Sequence, residues 1–94
     1  MAMTITARGR EYASWTVTGI SDVTGLEAQF DLGTWGPMER PTIGTCRVLV
    51  AGPLALVNPP DTIVLSVARH TVAIRATDTP EIVIRDAGSI TVTD

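Results

Sequence analysis

The chain has 94 residues, of which 45% are hydrophobic and 18% charged, and its formal net charge is −3. This length predicts one domain, residues 1–94, with a single modest core, and the acidic balance argues against a dedicated nucleic-acid binder. The low charge leaves two interpretations: a well-filled β-sandwich, or extra apolar surface that an assembly buries. The chain is rich in Thr, Val and Ile, whose β-branched side chains favour strands.

Alternating apolar residues predict three strands in the N-terminal half, over 3–7, 12–18 and 26–32. In the second, Ala13, Trp15 and Val17 share the face that would point to the core. A helix over 22–32 competes with the third strand, since Asp22 offers a helix cap. The Thr24-Gly25 pair weakens the helix interpretation.

Residues 33–45 carry three Gly and two Pro, which predicts a long irregular loop. The loop contains Trp35, Met38 and Arg40, residue types that are enriched at the centres of protein interfaces. These three residues are therefore the predicted partner-binding site. The alternative is that Trp35 folds back and plugs one end of the sandwich.

The next segment, 46–51, is almost continuously apolar and predicts a central strand covered on both faces. Gly52-Pro53 would bend it, residues 54–57 would continue it, and the Asn-Pro-Pro-Asp sequence at 58–61 predicts a firm turn.

From residue 62 to the C-terminus, apolar residues alternate in four short runs separated by turn residues, which predicts four strands. The whole pattern predicts an all-β, Ig-like antiparallel β-sandwich of seven or eight strands. The residues predicted to be buried are Val17, Phe30, Val48, Val50, Leu65, Val72, Ile74, Ile84 and Val92.

No catalytic or metal-binding set of residues stands out, so the chain is predicted to be no enzyme and to need no cofactor and no metal. His70 is the single histidine and is expected at the surface or in a turn, and Cys46 is expected as a buried, inert thiol. Three carboxylates, Asp78, Glu81 and Asp86, suit calcium in principle, but salt bridges with neighbouring arginines are the commoner outcome.

Tyr12 and Trp35 offer another alternative, a stacking platform for sugars in a carbohydrate-binding module. This interpretation requires the two rings to be exposed on a common face. The chain start, Met1-Ala2-Met3-Thr4, lacks the pattern of a signal peptide, and no apolar run is long enough to span a membrane as a helix. We therefore expect a soluble chain that is synthesised in the cytoplasm.

The C-terminal half carries a resemblance to a known class of proteins. Residues 72–92, with Asp78-Thr79-Pro80-Glu81 between two strands and a final run led by Ala87-Gly88, resemble small virion proteins of long-tailed bacteriophages. Residues 47–53 and the absence of lysine fit phages of actinobacteria, and the likeness covers roughly residues 46–93.

The resemblance implies a non-enzymatic virion structural protein that binds other virion subunits at the capsid surface or the head-tail neck. The alternative position is the tail tip or baseplate. The implied partners are capsid, neck or tail subunits, in many copies, with no nucleic acid and no membrane. The implied location is the virion.

Overall fold

In a computed structural model, which describes residues 2–16, 25–40, 44–78 and 81–94, these ranges form eight β-strands and no helix. The side chains of Asp78 and Glu81 also lie outside the description. The strands are β1 (Ala2–Thr6), β2 (Arg10–Thr16), β3 (Gly25–Phe30), β4 (Trp35–Pro37), β5 (Thr45–Ala51), β6 (Ile63–Val64), β7 (Arg69–Asp78) and β8 (Glu81–Thr93). The prediction of an all-β chain with seven or eight strands is confirmed.

The strands form a five-stranded sheet, in the order β1-β8-β7-β3-β4, and a three-stranded sheet, β2-β5-β6. Both sheets are mixed, because β1 runs parallel to β8 and β6 runs parallel to β5. The prediction of purely antiparallel strands is wrong at these two pairs. Neither pair is joined by a hairpin, which is the connection that imposes antiparallel pairing.

The core lies between the two sheets and follows from the alternation of each strand. The five-stranded sheet contributes Ile5, Val72, Ile90 and Val92, and the three-stranded sheet contributes Ala13, Val48 and Val50. Among the residues predicted to be buried, the structure confirms Val48, Val50, Leu65, Val72 and Val92. Phe30 and Ile74 are half-buried at the margin of the core, and Val17 lies outside the described residues.

Ile84 is exposed, contrary to the prediction, because β8 contains a β-bulge. Val72 pairs with Gly88 and Ala73 with Asp86, so Ala87 is an extra residue in the β8 strand. One extra residue moves every preceding side chain to the other face of the sheet. The apolar residues 82 and 84 therefore lie on the same strand as 90 and 92 but point to the opposite face. All four positions have even numbers, so the alternation in the sequence gives no sign of the change of face.

The ends of two predicted strands also differ from the structure. The strand predicted over 26–32 ends at Phe30, since Asp31 and Leu32 turn the chain with φ angles of 53° and 59°. A helix is excluded for residues 25–30, which pair with β7, whereas 22–24 lie outside the description. Residues 54–57 do not continue β5, which ends at Ala51. The prediction that this strand is covered on both faces is also wrong, because β5 buries only one face and Arg47 and Leu49 are half-exposed on the other.

The segment 33–45 is more regular than its composition predicts. Trp35–Pro37 forms the short strand β4, which pairs with β3 at the edge of the five-stranded sheet. Proline is tolerated there because an edge strand has one side without ladder partners. Residues 41–43 of this segment lie outside the described residues.

Candidate interaction surfaces

The outer face of the five-stranded sheet carries Trp35. Its cross-strand partner on β3 is Gln29, and the register places both on the face opposite the buried Ala28. The guanidinium carbon of Arg75 lies 4.6 Å from the centre of the Trp35 ring, and Arg75 Nη2 donates to Glu27 Oε1 at 2.7 Å. Trp35 is therefore a half-buried surface ring held by a cation–π contact, and it does not plug the core.

The other two predicted partner-binding residues differ in burial. Met38 is half-buried and packs against both hydrophobic core clusters, whereas Arg40 is exposed. Partner binding by these three residues stays a prediction. Of the three residues, Met38 is the one that contributes to the core.

Tyr12 lies on the outer face of the other sheet. It pairs with Leu49, and the Arg47 guanidinium carbon sits 4.0 Å from the centre of its ring. Arg47 is in turn bound to Glu39, with 2.8 Å between Arg47 Nε and Glu39 Oε2. Because Tyr12 and Trp35 lie on outer faces of different sheets, and an arginine covers one face of each ring, they do not form the common sugar platform that the sequence suggested.

His70 is buried, with 6% of its surface exposed, so the expectation of a surface or turn residue is wrong. Its Nδ1 lies 2.5 Å from Asp31 Oδ2, and its Nε2 lies 2.8 Å from the Ser66 carbonyl oxygen. Both neighbours accept hydrogen bonds, which suits an imidazolium that donates from both nitrogens. A histidine with both nitrogens occupied has no free nitrogen to take a proton from a substrate.

The pKa values of this pair move in opposite directions. Burial lowers the pKa of His70, but the hydrogen bonds to the Ser66 carbonyl and to Asp31, with the charge of Asp31, raise it by more. The hydrogen bond from His70 lowers the pKa of Asp31. Asp31 also accepts from the Thr71 backbone N–H at 3.0 Å, so the pair fastens the β3–β4 turn to β7.

Groups that would carry other chemistry are dispersed. Cys46 is fully buried, as predicted, and burial raises the pKa of its thiol, which suits an inert side chain. Among the described residues, no three His, Cys, Asp or Glu side chains come close enough to hold a metal ion. Arg75 pairs with Glu27, and Asp86 accepts from the Gly88 N–H.

An exposed apolar surface lies on the first half of β8, which we call the hairpin edge (residues 81–86). Ile82 and Ile84 are 63% and 58% exposed. β1 pairs with β8 only from Ser89 to Thr93, so within the described residues the hairpin edge pairs with β7 alone. Exposed strand edges with apolar side chains readily pair with another chain.

A second exposed apolar surface is the segment 54–57, which we call the apolar loop. Leu54, Leu56 and Val57 are 58%, 84% and 92% exposed. Val57 has a φ angle of 54°, a strained value for a β-branched residue, and its carbonyl accepts from Arg10 Nη1 at 2.7 Å. The loop is thus held in a defined conformation while it presents its apolar side chains to solvent.

Sequence reasoning missed both surfaces because it assigned their residues to strands that face the core. The Gly52-Pro53 pair marks the start of the apolar loop, and Gly88 marks the bulge with a φ angle of 97°. A glycine inside an apolar run is the signal that would have located each change of direction.

The described part of the chain contains no helix with the length and apolar character needed to cross a membrane. Comparison with protein-family models, with curated proteins and with solved structures finds no significant match.

Proposed function

We propose that this protein is a non-enzymatic structural subunit of a multi-subunit assembly, and that the assembly is the virion of a tailed bacteriophage. Its partners would be other virion subunits at the capsid surface or the head-tail neck, with the tail tip or baseplate as the alternative position. The observation that carries the proposal is the presence of two exposed apolar surfaces at opposite ends of one small sandwich.

The distance between the two surfaces follows from strand β8. The hairpin edge lies beside the β7–β8 turn, at the start of the strand. The apolar loop lies at the far end of the strand, because Leu54 N donates to Ala7 O and Ala7 N donates to Thr93 O. Thirteen residues of strand span about 40 Å, and the longest dimension of the molecule is 41 Å. Two well-separated apolar surfaces suit a subunit that contacts two neighbours at once.

The remaining observations support a structural role over catalysis or sugar binding. His70 is fully hydrogen-bonded inside the fold, and the two aromatic rings point away from each other. The sequence resemblance to small virion proteins is the reason for proposing a phage particle as the assembly. The same resemblance implies that the strands have an Ig-like arrangement.

The test is incorporation into particles. In the phage that encodes this sequence, quantitative mass spectrometry of gradient-purified particles should find the chain in a fixed ratio to the major capsid protein. Leu56→Lys should lower that ratio by at least about tenfold, because a lysine in the apolar loop disfavours an apolar contact. Ser14→Lys, at an exposed position on the outer face of the three-stranded sheet, is the matched control and should leave the ratio unchanged.

Absence of the chain from purified particles would contradict the phage part of the proposal. Equal incorporation of Leu56→Lys and the natural chain would exclude the apolar loop as a contact. Circular dichroism of each purified variant separates loss of contact from loss of folding.

A further inference from the structure

The hairpin edge offers a ready template for strand addition. Positions 81–86 contain no proline and no lysine, which are the residues that commonly block an exposed edge. The β1 strand covers β8 only from Ser89 onward. Backbone groups of alternate residues point to alternate sides of a strand, so about half of those in this stretch face away from β7.

We propose that the hairpin edge binds the hairpin edge of a second copy of this chain, antiparallel, about a two-fold axis at Val83. In this register Ile82 of each copy lies opposite Ile84 of the other. Both isoleucines are on the outer face of the sheet, so the four side chains form one apolar cluster across the junction. A contact of this kind is isologous and closes after two copies.

Charge complementarity selects this register. With the axis at Val83, the acidic position 81 of each copy falls opposite the basic position 85 of the other, which gives two opposite-charge pairs. With the axis at Ile84, Ile82 would instead fall opposite Asp86, and Val83 opposite Arg85. Opposite charges across a strand pair stabilise it, whereas the second register sets charged residues against apolar ones.

Within the described residues, no strand pairs with the free side of β8 along this register. The register uses positions 81–85 of both copies and stops short of the part of β8 that β1 covers. The two five-stranded sheets would join through β8 into one continuous sheet. This inference rests on the proposed function, since it names a second copy as one of the two neighbours of the subunit.

The experiment is sedimentation equilibrium of the full chain and its charge-reversal variants at low ionic strength, where charge pairs are least screened. The natural chain should show a monomer–dimer equilibrium. Glu81→Arg and Arg85→Glu should each weaken it by at least about tenfold, because each places like charges opposite each other. Glu11→Arg and Arg8→Glu make the same charge changes at exposed positions on β2 and in the β1–β2 turn, and should leave the equilibrium unchanged.

Recombination of the two variants tests the register itself. An equimolar mixture of Glu81→Arg and Arg85→Glu should form a heterodimer, and the double variant should dimerise like the natural chain, because both restore opposite charges. A natural chain that stays monomeric at millimolar concentration would overturn the proposal. So would an Arg85→Glu variant that dimerises normally, or a mixture that stays monomeric.

Two further variants separate this inference from the proposed function. Ile84→Lys should abolish the dimer, whereas Leu56→Lys should leave it intact and impair only incorporation into particles. A partner other than a second copy would appear as a monomeric natural chain whose incorporation nevertheless depends on Ile84. That result would overturn the two-fold pairing and preserve the structural role.

Discussion

The ion pair of His70 and Asp31 connects a buried side chain to a half-exposed one. The side chain of His70 is 7% exposed and that of Asp31 is 49% exposed. A buried imidazolium needs acceptors on both nitrogens, and the Asp31 carboxylate and the Ser66 carbonyl supply them. The pair thus makes the stability of the fold depend on pH.

The sign of this dependence follows from the two pKa shifts. The folded pKa of His70 lies above 6.5, so its contribution is complete below pH 6.5 and is lost as pH rises through the folded pKa. The folded pKa of Asp31 lies below 3.8, so its contribution is complete above pH 3.8 and is lost as pH falls through the folded value. The contribution of the pair to the free energy of unfolding should therefore be greatest between these two values.

Asp31→Asn should reduce the free energy of unfolding at pH 5 by about 1 kcal/mol, since the amide keeps the shape of the side chain but loses its charge. At pH 9 the difference from the natural chain should be smaller, because the contribution of the pair falls as pH rises through the folded pKa of His70. Urea unfolding at the two pH values measures this, and an equal loss at both would show that the charge of Asp31 is not what stabilises His70.

Gly52 illustrates a close backbone approach that admits no side chain. A Cβ at this position would lie 2.3 Å from the carbonyl oxygen of Ala7, a backbone atom that cannot move without disturbing the chain between β1 and β2. Gly52→Ala should therefore lower the free energy of unfolding by about 2 kcal/mol or more.

Gly25→Ala is the matched control, because a Cβ there meets no atom within 4 Å. Its free energy of unfolding should stay within about 1 kcal/mol of the natural value. Urea unfolding of both variants gives the comparison, and equal losses would show that the contact with Ala7 is not the cause.

At the scale of the element, the bulge in β8 determines which residues the hairpin exposes. Trp15, on the facing sheet, donates from Nε1 to the carbonyl oxygen of Ala87, the extra residue, at 2.9 Å. The bulge carbonyl thus has a partner from the other sheet, and the tryptophan also packs against both core clusters. The contact fastens the two sheets together at the point where β8 changes face.

Trp15→Phe should lower the free energy of unfolding by about 1–3 kcal/mol, because it keeps most of the apolar packing but leaves the Ala87 carbonyl without its donor. Thermal unfolding and amide exchange around Gly88 measure the effect. If stability and exchange at the bulge both match the natural chain, the hydrogen bond does not hold the bulge.

The same bulge shows how far the sequence determines the structure. Period-2 alternation correctly predicts the all-β fold and the burial of Val48, Val50 and Val92, because a continuous ladder preserves the face of each residue. It fails at Ile84, where one extra residue reverses the face, and at His70, whose burial depends on Asp31, a residue distant in sequence. Local patterns carry no information on such long-range partners.

The predicted partner-binding site shows the same limit at Met38. Its residue type suited an interface, but its position after β4 directs it to the core. Methionine is frequent in both environments, so composition alone does not distinguish them. The hairpin edge and the apolar loop emerge only once the strand register and the exposure of each side chain are known.

At the scale of the whole molecule, the residues that stabilise the fold and those that form the exposed apolar surfaces lie in different parts of the structure. The buried residues cluster between the two sheets, whereas Ile84 and Leu56 point to solvent near opposite ends of β8. Exposed apolar side chains contribute little to folding, because they remain in water in the folded state. Their replacement should therefore change association and solubility but not folding.

Leu56→Lys should change the free energy of unfolding by less than about 0.5 kcal/mol. Ile84→Lys places a lysine opposite Arg75 and should lower it by less than about 1 kcal/mol, and each variant should raise the solubility of the isolated chain. Because the two positions are far apart and share no contact, the double variant should show the sum of the two solubility gains. Urea unfolding and precipitation with ammonium sulfate measure the two properties.

Val50→Lys is the contrasting variant: Val50 is fully buried, so the substitution should unfold the chain. If Leu56→Lys instead destabilised the fold by several kcal/mol, the apolar loop would be part of the core in solution, and only the hairpin edge would remain available for assembly.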